Sequence, residues 1–263
     1  MNPDPLHVIV LAGDRGPGDP LARSAGVPGK VLVEIGRKPM LTRVLQAVAG
    51  FDRGARIVLV CRDSAEYAAA ADIGHSCLRV DPADSPAASV AAALKRIDAS
   101  CPVLLVTGDH PLLQPAWLEQ FVERARASGA DAVVGVVDHG AIVARFPGNR
   151  RTRYRFSDIA VCGTNLFYVS GKRGRRVAHL WPAFEADRKR PWKIVGRLGG
   201  WNLLRYLLGR LTLEGAMKAL SCRMQLRLAA VLIDWPEAAV DVDSPEDLVL
   251  VTRLIESRGE PAS

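Results

Sequence analysis

No apolar run in the sequence approaches the ~20 residues that a membrane-spanning helix needs. Residues 1–5 lack a basic segment, and the apolar stretch at 7–12 is too short for the core of a secretory leader. Together these absences predict a cytoplasmic protein. Cysteine is sparse: Cys61, Cys77, Cys101, Cys162 and Cys222 are odd in number, scattered, and form no CxxC pair. That argues against a disulfide framework or a zinc site and for reduced, mostly buried thiols. Internal repeats and low-complexity segments are also absent. With 263 residues, 49% of them hydrophobic, the chain can bury a large core. We expect one domain over 1–263, with 145–226 as an insert.

Acidic residues are scarce in one region. Between 145 and 227, 19 Lys/Arg stand against Asp158, Glu185, Asp187 and Glu214, a surplus of fifteen positive charges. The whole chain carries +7, so the remainder has a deficit of eight. A basic block in an otherwise acidic protein suggests a local anionic partner.

What is present along 1–140 is alternation. Short, β-branched apolar runs at 7–12, 56–61, 77–81, 102–107 and 131–137 alternate with helical spans at 64–71, 87–97 and 115–127. Strands apolar on both faces predict a mostly parallel sheet covered by helices on each side. Ligands in such sheets bind at the carboxyl ends of the strands. The glycine-rich loop after the first strand, Arg62, Asp81 and Asp109 all fall at such ends.

That loop, LAGDRGPG at 11–18, gathers backbone N–H groups into an anion-binding concavity. Its GxxGxG spacing is not a dinucleotide fingerprint, and Val31 follows Gly29-Lys30 where a Walker A loop has Ser or Thr. In TGDHPL at 107–112, Gly108 and Pro111 stiffen the flanks of Asp109, a hard oxygen donor suited to Mg²⁺. In AVDVDSPEDL at 239–248, Ser244 and Pro245 form a helix start. Asp241, placed two residues before Asp243 on a strand, would share its face.

Leu11-Ala12-Gly13, Gly16, Gly29-Lys30 and Gly36…Pro39-Met40-Leu41 resemble the opening of the MobA-like nucleotidyltransferases, whose usual form is LAAGxGxRM, PK and GxPML. The match departs at Asp14-Arg15-Gly16 and at Gly29, which leaves Arg15 or Arg23 as the loop arginine. TGDHPL resembles the superfamily's GDxPL, and DSPEDL its closing motif. The resemblance covers the first ~140 and last ~35 residues. It implies a three-layer α/β/α, Rossmann-like nucleotidyltransferase fold (GT-A-like) with a helical insert. It further implies nucleotide binding by Leu11, Ala12, Gly13, Asp14, Arg15, Gly16, Lys30, Arg62, Asp81, Ser89 and Asp109. Mg²⁺ would sit on Asp109 and Asp243, with Lys30, Asp109 and Arg15 catalytic. Ser85 would cap the helix that carries Ser89.

Between these regions, Arg150 to Asp158 alternate basic and aromatic residues, giving one basic and one apolar face if extended. The resemblance implies that the acceptor pocket is built here. Arg153 and Arg155, whose forks suit phosphate, and Asn165 are the candidates. Trp192, Trp201 and nearby leucines then recur at helical spacing opposite Lys193, Arg197, Arg205, Arg210 and Lys218. Such helices pack on the domain, face a second copy in an oligomer, or lie on the inner face of an anionic membrane.

The resulting expectation is Mg²⁺-dependent transfer of a nucleotidyl group from an NTP to a phosphorylated small-molecule or lipid-linked acceptor. The first alternative is a sugar-nucleotide glycosyltransferase, since Asp241-Val242-Asp243 is formally a DxD. The second is a nucleic-acid-binding module, although the basic block lacks a recognised motif for one and no nucleic-acid partner is expected.

Overall fold

A computed structural model of the protein describes residues 5–13, 18–148, 151–178, 181, 191–196 and 199–258. Asp14, Arg15 and Gly16 of the predicted loop lie outside these, as does the side chain of Trp192. The chain forms two compact units. The first comprises Met1–Ile97, Leu105–Glu119 and Val240–Ser263, and the second Asp98–Leu104 and Gln120–Ala239. Strand β6 (Val103–Thr107) contributes residues to both.

In the first unit the strand order is β6-β1-β4-β5, with β1 at His7–Leu11, β4 at Arg56–Val60 and β5 at Cys77–Val80. β1 pairs parallel with β4 in the register Ile9↔Val58, and β4 pairs parallel with β5. Val8, Ile9, Val10 and the four residues Ile57 to Val60 are all buried, as uninterrupted apolar strands covered on both faces should be. A two-residue turn at Gly36 and Arg37, both at positive φ, closes a small hairpin of β2 (Glu34–Ile35) and β3 (Lys38–Pro39). Helix α2 (Met40–Phe51) buries Met40, Leu41, Val44, Leu45 and Val48 on one stripe, and its buried Arg43 donates through Nε to the Ile35 carbonyl (3.0 Å).

The cap expected at Ser85 is present: it accepts from the Ala88 N–H at the head of α4 (Pro86–Leu94). Ser64, placed by the periodicity inside the helical span 64–71, instead caps α3 (Ala65–Ala71). Helix α5 spans Pro115–Ala127 as the periodicity predicts. A short helix α1 (Pro20–Ser24), capped by Asp19, was not expected. Nor does the predicted strand through Asp241 form. Residues 240–243 belong to no ladder, with Val240 and Val242 fully buried. They are held by a bond from the Val242 N–H to the Asp109 carbonyl (3.0 Å).

The second unit has the order β10-β7-β9-β6, with β8 against β9. Strand β7 (Ala132–Asp138) pairs parallel with β10 (Leu228–Leu232) and antiparallel with β9 (Ala160–Val169), which also pairs antiparallel with β8 (Tyr154–Arg155). The β7–β9 register jumps from Val134↔Phe167 to Val136↔Gly163, so Gly135 faces three residues centred on Asn165 at φ 56. A Cβ on Gly135 would lie 2.5 Å from Thr164 Oγ1, so only glycine fits under this bulge. The buried Asp131 carboxylate accepts from the Arg227 N–H (2.7 Å) and pairs with the Arg173 and Arg227 side chains. Helices α6 (His139–Arg145), α7 (Pro191–Gly196), α8 (Gly200–Leu207) and α9 (Leu213–Met224) follow in chain order. A small core of Val195, Leu211 and Ala216, with Phe156, Leu203, Tyr206, Ala219 and Leu220, joins the last three. All five cysteines are free, and Cys61, Cys101 and Cys162 are buried.

Candidate active site

The chain leaves β1 through Leu11, Ala12 and Gly13. The Ala12 N–H donates to the Val60 carbonyl (2.9 Å), and a Cβ on Gly13 would approach Pro82 Cβ to 3.0 Å. On the far side of the loop, Arg23 of α1 donates through Nη2 to the Gly18 carbonyl (2.9 Å). Arg23 therefore closes on the end of the glycine-rich segment. Gly108, beyond β6, donates its N–H to the Leu11 carbonyl (2.7 Å), where an added Cβ would sit 3.3 Å from Leu11 O, Ala12 Cβ and Val31 Cγ1. That close approach brings Asp109 to the turn carrying Lys30.

Lys30 opens a 3-10 turn, Lys30–Leu32, whose Val31 and Leu32 are buried. Its Nζ donates to Asp109 Oδ2 and to Asp243 Oδ1, each at 2.7 Å. Burial alone would lower the lysine's pKa, but the two carboxylates outweigh it and hold the ammonium charged, above its ordinary value. Burial likewise opposes the charged form of Asp109, yet Lys30 holds its pKa below the usual carboxylate value. The second oxygen, Asp109 Oδ1, is buried and accepts no hydrogen bond; the nearby Thr107 hydroxyl favours its charge but lies outside bonding geometry.

Asp243 is positioned by the helix behind it. Ser244 caps α10 (Pro245–Ser257) in a capping box, accepting from the Asp247 N–H, while Asp247 Oδ2 accepts from the N–H groups of Asp243 (3.2 Å) and Ser244 (3.1 Å). Asp247 was missed by the sequence reading, although the Ser-x-x-Asp spacing is its signal. Oxygens of Asp109, Asp241 and Asp243 lie within 4.8 Å of one another. Three carboxylates that close, one with a buried oxygen lacking any partner, fit Mg²⁺ and its ~2.1 Å bonds to oxygen.

The remaining predicted residues are less tightly grouped. Arg62 is half-buried just beyond β4, and Asp81 is exposed and paired with Arg79 Nη1 (2.5 Å). Ser89 is buried in α4, and its hydroxyl accepts from the Ala83 N–H (2.9 Å), which fixes the preceding loop. In the second unit, Arg153 and Arg155 are exposed while Tyr154 and Phe156 are half-buried, which is the predicted alternation. The Arg155 N–H donates to the Tyr206 hydroxyl (3.3 Å), a tie between β8 and α8 that spacing alone does not disclose. Asn165 forms the centre of the β9 bulge.

With this geometry in place, residues 8–155 match the MobA-like NTP transferase domain. The chain belongs to that family. A curated relative, the 3-deoxy-manno-octulosonate cytidylyltransferase of Chromohalobacter salexigens, is 37% identical over 103 residues. The match covers 37% of this chain and 39% of that protein, well under two thirds of its length. A solved structure described as a hypothetical transferase from Thermus thermophilus is similar over 94% of this chain and all of its own, with a TM-score of 0.78 and 29% identity. CMP:2-keto-3-deoxy-manno-octonic acid synthetase, solved in complex with CTP, is similar over 97% of this chain and 99% of its own, with a TM-score of 0.58 and 15% identity. At that identity the likeness shows the fold alone, a mixed α/β nucleotidyltransferase fold with a mostly parallel sheet. The family model covers the strands and turns bearing Lys30 and Asp109 but stops short of Asp243.

Proposed function

We propose that this MobA-like protein transfers a nucleotidyl group from an NTP to a phosphorylated acceptor and releases pyrophosphate. One observation carries the reading. Lys30, Asp109 and Asp243, separated by 79 and 213 positions from the lysine, meet in a single ion-paired cluster on a nucleotidyltransferase fold. The triphosphate lies against the N–H groups of the glycine-rich loop, with Arg15 or Arg23 as its arginine. Asp109 and Asp243, with Asp241 beside them, would hold Mg²⁺, whose Lewis acidity polarises the phosphate oxygens. Lys30 neutralises charge developing on the α-phosphate. An acceptor phosphate oxygen attacks the α-phosphorus; the new P–O bond forms as the bond to the β-phosphate breaks. The acceptor is already an oxyanion, so no side chain serves as general base. Catalysis is therefore positioning and charge neutralisation.

Arg62, Asp81 and Ser89 are assigned to the nucleoside, and Arg153, Arg155 and Asn165 to the acceptor. The left-handed backbone of Asn165 supports its place, because non-glycine residues in that region cluster at functional sites. CTP is the first donor to test, since the curated relative is by name a cytidylyltransferase and a structural neighbour was solved with CTP. Product analysis is the experiment. Incubation with Mg²⁺, each NTP and a panel of sugar and alditol phosphates should release pyrophosphate together with a nucleoside-diphosphate-linked product. Release of a nucleoside diphosphate from a sugar nucleotide would instead favour the glycosyltransferase, which the adjacent Asp241 and Asp243 also allow.

A further inference from the structure

Eight large hydrophobic side chains are exposed among the described residues, and four of them fall in one eight-residue stretch: Trp201, Leu204, Leu207 and Leu208. Isolated exposed leucines are ordinary; a contiguous group on one helix marks an interaction surface. At 100° per residue, Trp201, Leu204 and Leu208 share one face of α8 and its C-terminal turn, with Leu207 on the flank. Leu203 and Tyr206 point the other way, into the core with Val195, Leu211 and Ala216. The helix is thus apolar on two faces, and its own unit covers only one. Trp201 is 71% exposed and Leu207 67%.

The surroundings of the uncovered face say what covers it. Residues 191–211 contain Lys193, Arg197, Arg205 and Arg210 and no acidic residue. Lys193 is exposed on α7, which packs on α8, and Arg210 is exposed just past the helix. Beside Leu207 and Leu208 a groove of about 510 Å³ is lined by Arg155, Phe156, Ser157 and Tyr206, so one more cation stands at the margin of the apolar face. A second copy docking here would bring together two 191–211 segments, each with four cations and no acidic residue of its own, which charge repulsion opposes. An aromatic and three leucines in a segment whose charged residues are all cationic is the pattern of a helix lying in the headgroup region of an anionic bilayer.

We propose that the Trp201–Leu204–Leu208 face of α8 docks the protein on an anionic lipid surface, with Lys193, Arg205 and Arg210 meeting the headgroup phosphates. No described helix is long and apolar enough to cross a membrane, so the attachment is peripheral. Each cation near such a surface contributes roughly 1 kcal/mol, and the leucines add to that. The inference is independent of the nucleotide chemistry.

The test is co-sedimentation of the full-length protein with phosphatidylcholine vesicles, with and without phosphatidylglycerol. Binding is expected to the mixed vesicles only. It should be lost on raising salt from about 0.1 M to about 1 M, which shortens the screening length from about 10 Å to about 3 Å. Leu204→Ser with Leu208→Ser should weaken partitioning by at least about tenfold, equivalent to 1.4 kcal/mol. Arg210→Glu, an exposed change that leaves the apolar face intact, should weaken it without altering the melting temperature. Absence of binding to phosphatidylglycerol at low salt, equal binding to neutral vesicles, or undiminished binding by both variants would overturn the proposal. So would a lipid-free dimer that dissociates in the double-serine variant, since a second copy would then occupy the face.

Discussion

The Lys30 cluster and the α8 surface treat their charges in opposite ways. Around Lys30 one ammonium bridges two carboxylates at 2.7 Å each, offsetting one of their two charges, within a turn fixed by Gly108 and a capped helix. Around α8 the cations of 191–211 have no acidic residue in their own segment, and the apolar face beside them has no cover. The first arrangement is self-contained and exchanges its internal partners for ligands of matching charge. The second is incomplete and calls for a surface from outside. Together they suggest that chemistry and location are carried by different parts of the chain.

That division can be broken by substitution. The largest effect is expected from Asp109→Ala, which should lower nucleotidyl transfer by about 10³-fold or more, about 4 kcal/mol of lost metal-assisted stabilisation. Its melting temperature should change little, because Lys30 keeps Asp243 as a partner. Steady-state pyrophosphate release and a thermal melt measure both. Next is Lys30→Ala, expected to cut turnover by about 10²-fold, on the scale of losing one oxyanion donor. Removing the ammonium also leaves Asp109 and Asp243 as uncompensated neighbours. Added Mg²⁺ should therefore raise this variant's melting temperature more than the wild type's, and an equal rise would place Lys30 outside the metal site.

The double substitution Leu204→Ser with Leu208→Ser sharpens the contrast from the other side. It should leave transfer to a water-soluble acceptor within about twofold, inside the ±0.5 kcal/mol usual for surface changes, even where vesicle binding is lost. The smallest effect is assigned to Ser244→Ala. Loss of the cap bond to Asp247 should cost about 1 kcal/mol in denaturant unfolding, with a modest fall in activity as Asp243 loosens.

Much of the first unit is legible in sequence because parallel strands buried on both faces leave uninterrupted apolar runs, as at 7–11 and 103–107. Asp109 and Asp243 are legible for a different reason: each sits beside a glycine turn or a Ser-Pro helix start that punctuates the chain. Where the reading fails, the pattern underdetermines the structure. The alternation of Val240 and Val242 reports burial and predicts a strand, yet burial does not require a partner ladder, and a single bond to Asp109 replaces one. The bulge at Asn165 depends on Gly135, thirty positions away, so no local window contains it. In α8 the periodic pattern marks an apolar helix but cannot say which apolar face is covered. Leu203 and Tyr206 face inward because Val195 and Leu211 meet them there.

The central claim is that an NTP and Mg²⁺ bind together at the Lys30–Asp109–Asp243 cluster. Thermal unfolding with each of the four NTPs, with and without Mg²⁺, tests it most directly in wild type and Asp109→Ala. At about 100 times Kd a ligand contributes about 2.7 kcal/mol, a rise of roughly 5–10 °C for a chain of this size. The account predicts such a rise for one NTP, with CTP the first candidate, dependent on Mg²⁺ and absent in Asp109→Ala. Stabilisation by sugar nucleotides but by no NTP, or an NTP response unchanged by Asp109→Ala, would contradict it.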